Sequence, residues 1–137
     1  VPSPLALLEL GQALATLREQ DILFVASGSL THNLHEVFAE HAAQSGVEAY
    51  ASTFADWVWK QIDEGALGEL LDYRTKAPFA VRAHPTDEHF LPLFAAIGAA
   101  GKDWTQSARI SGGITHDVLA MDSFMFGTGP GLAPPNR

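Results

Sequence analysis

The period of apolar positions changes several times along this chain, and each change marks an element. From Ser3 to Gln20, Leu5, Leu8, Ala13, Leu14 and Leu17 recur at helical spacing. That predicts an amphipathic helix with Ser3 as its cap and Pro4 in its first turn. The run Ile22-Leu23-Phe24-Val25-Ala26 is uninterrupted and rich in branched and aromatic side chains, the pattern of a strand buried on both faces. It breaks at Ser27-Gly28-Ser29, so the predicted strand ends in a polar loop that runs through Leu30-Thr31-His32-Asn33. The connection Glu19-Gln20-Asp21 has a length usual between a helix and a strand.

Beyond the loop, Leu34, Val37, Phe38 and His41 predict a short helix over Asn33–Gln44, capped by Asn33 and ending near Gly46. Thr53 to Tyr73 reads as two helical pieces with a break near Gly65. Its aromatic residues at helical spacing belong to a core rather than a cofactor box. Residues 74–85 form a mixed connector. Pro85-Thr86 is expected to open a helix, with Asp87 and Glu88 at its positive end and His89 in its first turn, where an imidazole stays neutral. Pro92 implies a kink or a restart, because an interior proline costs about 3 kcal/mol. Gly98 to Gly101 is a natural stop. Residues 107–110 and 118–126 have strand character, while 1–3 and 128–137 are expected to be flexible. Together these elements predict an α/β fold, a β-sheet flanked by helices on both faces in three layers. The chain, 1–137, is expected to be a single domain or the C-terminal part of one.

Composition narrows the partners. The 137 residues are 47% hydrophobic, enough to bury a core. A net charge of −8 with only 8 Lys and Arg offers no footprint for phosphate backbones or anionic membranes, so neither nucleic acid nor membrane is an expected partner. No apolar run approaches the roughly 20 residues of a membrane span, and the first residues lack a signal-peptide pattern. The absence of cysteine rules out disulfides and thiolate ligands. Cytoplasm is the default location.

Candidate chemistry gathers where the predicted strand ends, since ligands of open α/β sheets bind beyond the carboxyl ends of strands. His32 is the readily titratable group there. Ser27-Gly28-Ser29 raises the thought of a hydrolase nucleophile, but no Gly-x-Ser-x-Gly elbow is present, and a histidine so near in sequence more often braces the loop. A tight polar turn is the simpler reading. Neither His32-x-x-His35 nor His84-x-x-x-x-His89 is a spacing that forces a metal site.

Val25-Ala26-Ser27-Gly28-Ser29 followed by Thr31-His32-Asn33-Leu34 resembles the strand and histidine loop of the LigB-like class III extradiol ring-cleavage dioxygenases, especially the 4,5-DOPA extradiol dioxygenase branch. A second block, His84-Pro85-Thr86-Asp87-Glu88-His89-Phe90-Leu91-Pro92-Leu93, is similar to that branch's Pro-Thr-x-Glu-His-x-Leu-Pro-Leu block. The resemblance runs from about residue 4 to Phe124-Met125-Phe126-Gly127 and covers the C-terminal half of the family's domain.

What the resemblance implies is a non-haem Fe(II) centre, or zinc in some members, that opens catechol-type rings with O2. His89 falls on a metal ligand. His32 falls on an acid/base beside the bound catechol, or on a direct ligand where the metal is zinc. His35, His41, His84 and His116 match no functional histidine and are expected to be structural or exposed. Relatives carry two further metal-binding histidines in His-Gly-Ser-Pro-like and Ser-Ala-His-like blocks, and neither block occurs here. The chain alone is therefore expected to be catalytically incomplete, with an exposed sheet edge that favours self-association or pairing with the missing N-terminal half. The competing reading is a binding or regulatory module that keeps the half-fold without the chemistry.

Overall fold

The structure, a computed structural model, describes residues 1–39 and 49–127. The later part of the predicted Asn33–Gln44 helix, with His41, and the terminal 128–137 lie outside the described residues.

Helix α1 (Pro4–Leu14) starts as its sequence requires. Ser3 accepts the Ala6 N–H at 3.1 Å, and Pro4 occupies the first turn, where a missing N–H costs nothing. The chain tightens into a 3-10 segment (Ala15–Gln20) and leaves it at Asp21 in the left-handed region. Helix α2 (Leu34–Val37) is capped by Asn33, whose side chain accepts from Glu36 N–H. Helix α3 (Ala49–Asp63) buries Tyr50, Ala51, Phe54, Ala55, Val58 and Ile62 at helical spacing, and the break at Gly65 separates it from α4 (Leu67–Leu71). Residues 74–85 are not a plain connector but carry short turns of helix, α5 (Tyr73–Lys76) and α6 (Ala80–Ala83).

Pro92 starts helix α7 (Pro92–Ala100) instead of kinking one; Gly101 ends it at φ 60°. The helix expected to open at Pro85 does not form. Residues 84–91 are turns, so His89 precedes a helix rather than sitting in its first turn. The proline at 92 explains the error: it fixes where the helix can begin, and everything before it is left to turn.

After a 3-10 turn (Gly101–Thr105), β1 (Ser107–Ile110) pairs antiparallel with β4 (Ser123–Phe126), and between them β2 (Ile114–Thr115) pairs with β3 (Leu119–Ala120). The apolar side chains of these elements join one core. Phe54, Tyr73, Phe90 and Phe94 interlock at its centre, with ring centroids 4.5 Å apart for Tyr73 and Phe90 and 5.5 Å for Phe54 and Phe90. Trp59 stacks on Phe124 of β4, which fastens the α3 layer to the sheet. Helices and strands thus combine as the α/β class predicts.

The departure is Ile22 to Ala26. The run is extended, but no strand partner is present for it among the described residues. Leu23 and Val25, read as buried, are 84% and 75% exposed. The apolar pattern is that of a central strand, while the neighbours such a strand needs are not among the described elements. The run forms one wall of a groove of about 760 Å³ whose floor is α7 (Pro92, Leu93, Ala96) and whose far wall is β4. The backbone N–H groups of residues 23–28 have no hydrogen-bond acceptor among the described residues. In the isolated chain they are expected to exchange with solvent at close to unprotected rates while those of Phe54 to Ile62 stay protected, a contrast read directly by hydrogen–deuterium exchange.

Candidate active site

The loop between the extended run and α2 is tied down at nearly every residue. Ser29 N–H donates to His89 O at 2.7 Å, and the Ser29 hydroxyl donates to Thr31 O at 2.7 Å. Thr31 is fully buried; its hydroxyl donates to Val118 O at 2.6 Å and accepts the Ala120 N–H at 2.7 Å, anchoring the loop to β3. His32 N–H donates to Ala83 O at 2.7 Å, and Asn33 Nδ2 to Arg82 O at 2.8 Å. Gly28 permits the closest approach. A Cβ there would lie 2.2 Å from the His89 carbonyl oxygen, so no other residue fits without displacing that backbone.

This stitching brings together two histidines far apart in sequence. The rings of His32 and His89 stack with centroids 3.5 Å apart and planes 9° from parallel. Both are half-buried. Partial burial, and secondarily the neighbouring His89, hold the His32 imidazole below its ordinary pKa, so it is neutral and able to accept a proton at neutral pH. Glu88 lies beside the pair, with a carboxylate oxygen 3.5 Å from His89 Nδ1. Its pKa is lowered by its own backbone N–H and by the Thr86 hydroxyl. His89 lines the 760 Å³ groove; His32, stacked on it, is not among the residues that line it.

The Ser29 hydroxyl is committed to Thr31 O, and among the described residues no serine hydrogen-bonds His32; the nearby carboxylate, Glu88, lies 3.5 Å from His89 Nδ1 and makes no hydrogen bond to His32. The hydrolase reading has no geometry to support it. Of the remaining histidines, His35 and His116 are exposed and His84 is buried.

A metal centre needs several converging donors. Among the described residues no group of three or more His, Asp or Glu side chains could hold an ion. The imidazole lone pair lies in the ring plane, so an ion on one of two parallel, stacked rings lies off the plane of the other. As placed, the pair offers an ion one imidazole, and Nδ1 of His89 is a buried nitrogen without a hydrogen-bond partner. These residues fit one contribution to a metal centre and do not complete one.

Sequence reasoning located both histidines but missed what holds them. Thr31 and Gly28 stood in quoted motifs without a role. His84 was grouped with the histidines expected to be structural or exposed; the structure buries it, with consequences for pH. Burial pushes its pKa from 6.5 down to about 4, with His32 and His89 nearby adding to the effect, and Leu30 O and Asp87 opposing it. The unfolded chain therefore binds more protons between those values, and stability is complete above pH 6.5 and falls as pH drops toward 4. The expected loss between pH 7 and pH 5 is about 2 kcal/mol. Urea midpoints at the two pH values check it, and His84→Gln should remove this part of the dependence.

This architecture has counterparts. The chain belongs to the LigB family: the model described as the catalytic LigB subunit of aromatic ring-opening dioxygenase matches residues 1–122. Among individual relatives, it is 40% identical over 118 residues to a 4,5-DOPA dioxygenase extradiol of Beta vulgaris, covering 86% of this chain and 42% of that protein. It is 35% identical over 117 residues to the protein of the same name from Portulaca grandiflora, covering 85% of this chain and 42% of that one. A crystal structure of an uncharacterized Escherichia coli K12 protein superposes with a TM-score of 0.71 at 28% identity, over 90% of this chain and 50% of that one. The chain thus spans less than half the length of the curated relatives it matches. No helix among the described residues is long and apolar enough to cross a membrane.

Proposed function

We propose that this chain is part of a non-haem metal-dependent extradiol dioxygenase that opens catechol-type rings with O2. The observation that carries the reading is the stacked pair. Two imidazoles from separate family blocks meet at 3.5 Å, one with an unpartnered ring nitrogen and one held neutral. In this reading His89 gives one ligand to Fe(II), or to zinc in a related form, and the other ligands come from the length of the relatives that this chain does not span. The metal, when bound, would supply the open coordination sites for catechol and O2 and the electron exchange between them. The task of His32 is the proton: its neutral ring takes one from a catechol hydroxyl and later returns it, acting as general base and then general acid. The parallel planes favour this division of labour over two ligands to one ion.

The test is a chimera that joins this chain to the portion of the Beta vulgaris relative outside the match, loaded with Fe(II) without oxygen and then given L-DOPA and O2. The chimera should open the ring, seen as a new visible absorbance, and the 137-residue chain alone should not. His89→Ala should abolish turnover. His32→Ala should lower it by about 10²- to 10⁴-fold, the usual share of a general acid or base. Ring opening by the isolated chain, or by a chimera indifferent to both substitutions, would overturn the reading. Because the exposed run leaves backbone groups unpaired among the described residues, self-association of the isolated chain through it is also expected. Leu23→Lys together with Val25→Lys should reduce the weight-average mass in sedimentation equilibrium.

A further inference from the structure

We infer that His84 is a positioning residue for the His32–His89 pair, through a hydrogen bond from its ring to the Leu30 carbonyl. The inference deepens the reading above and rests on it for its functional meaning. The geometry stands independently.

His84 is fully buried, with Phe54 and Phe90 ring centroids at 5.7 and 5.1 Å. Its Nε2 lies 2.7 Å from Leu30 O. A carbonyl oxygen only accepts, so Nε2 carries the proton and the tautomer is fixed. Nδ1 is then a bare acceptor, buried and without a hydrogen-bond partner among the described residues. In an apolar pocket of this kind a leucine or phenylalanine would pack without leaving an orphaned nitrogen, and the orphan is unfavourable. What the imidazole supplies, and a hydrocarbon could not, is a donor aimed at Leu30 O.

That bond is one rung of a ladder. Leu30 O meets His84 Nε2, His32 N–H meets Ala83 O, and Asn33 Nδ2 meets Arg82 O, so the loop and the 82–84 segment run past each other in opposite directions. The ladder continues to Ser29 N–H on His89 O. His84 sits between the two histidines it serves: its ring fixes the residue two before His32, and its own backbone leads to His89. Its carbonyl is held in turn by Arg74, which also pairs with Asp87. Removing the ring donor frees the Leu30 end of the loop while the bonds at His32 and Asn33 remain, so the loop can pivot and the rings separate.

The test compares His84→Gln with His84→Asn in the 137-residue chain. The glutamine amide reaches to the position of Nε2 and can donate to Leu30 O; the asparagine amide is one bond shorter and cannot. The readout is the proton resonances of the His32 and His89 rings, displaced upfield by mutual stacking, with Phe54, Val58 and Ile62 signals reporting the core. His84→Gln should retain the displacement. His84→Asn should lose most of it with the core signals unchanged. The proposal is overturned if His84→Asn keeps the displacement, if both variants lose it equally, or if His84→Asn unfolds the core, which would make the role one of general stability. Should the asparagine variant behave as expected while the chimera with an intact His84 opens no catechol, the positioning stands and the dioxygenase reading falls.

Discussion

Gly28→Ala is expected to break the histidine pair and to destabilise the chain by about 2–4 kcal/mol, combining the strain of overpacking with a lost backbone hydrogen bond. The reason is local and steric. A Cβ at this position would stand 2.2 Å from His89 O and 3.2 Å from Pro92 Cγ. The carbonyl cannot retreat cheaply, because it accepts the Ser29 N–H and the chain beyond it is fixed where Pro92 begins α7. The methyl group therefore has to part residues 28–29 from residue 89, and that contact sets the distance between the two rings. A lower urea midpoint together with loss of the stacking shift of His32 is the expected result. An alanine variant with the wild-type midpoint would show that the approach is looser than described.

The second large effect is expected at the crossing of α1 and α7. Gly98 faces Leu8, and a Cβ on it would lie 2.1 Å from Leu8 O. Gly11 faces Ala95 in the same way, also at 2.1 Å. The two helices touch backbone to backbone at reciprocal glycines. Gly98→Val adds a branched side chain where not even one carbon fits, so the helices must move apart along their whole contact. The expected cost is about 3 kcal/mol or more, at or beyond the upper end of usual overpacking penalties. Gly68→Ala is the control, since nothing lies within 4 Å of a Cβ there; it should be neutral or slightly stabilising. Thermal midpoints of the two variants against the parent chain check the contrast.

These two glycines also show where sequence reading reaches its limit. The Ser3 cap, the α3 core positions and the break at Gly65 were legible because local periodicity and capping chemistry decide them. Gly11 and Gly98 look like weak points in helices until the partner backbone is known, and only then is their absent side chain the determining feature. His89 was legible as a residue but not in its setting. Two prolines compete to start a helix, and the later one, Pro92, does so; the polar run before it gives no sign that it will be used as turns. The 22–26 run was misread in burial for a different reason. Its composition reflects a sheet interior, and burial depends on neighbours that local sequence does not contain. The meeting of His32 with His89 was expected only because two separate blocks resembled one family; spacing alone carries no such information. The ladder from Leu30 to Asn33 was illegible, since every rung ends on a backbone group that any residue possesses and the partners lie 49 to 54 residues away in sequence.

The most direct measurement of the account is nitrogen NMR of the imidazoles in the Beta vulgaris chimera with zinc bound. The account predicts that one His89 ring nitrogen takes the chemical shift of a metal-bound imidazole, while both His32 nitrogens remain free and continue to titrate. Metal-bound shifts on both histidines, or on neither, would contradict it.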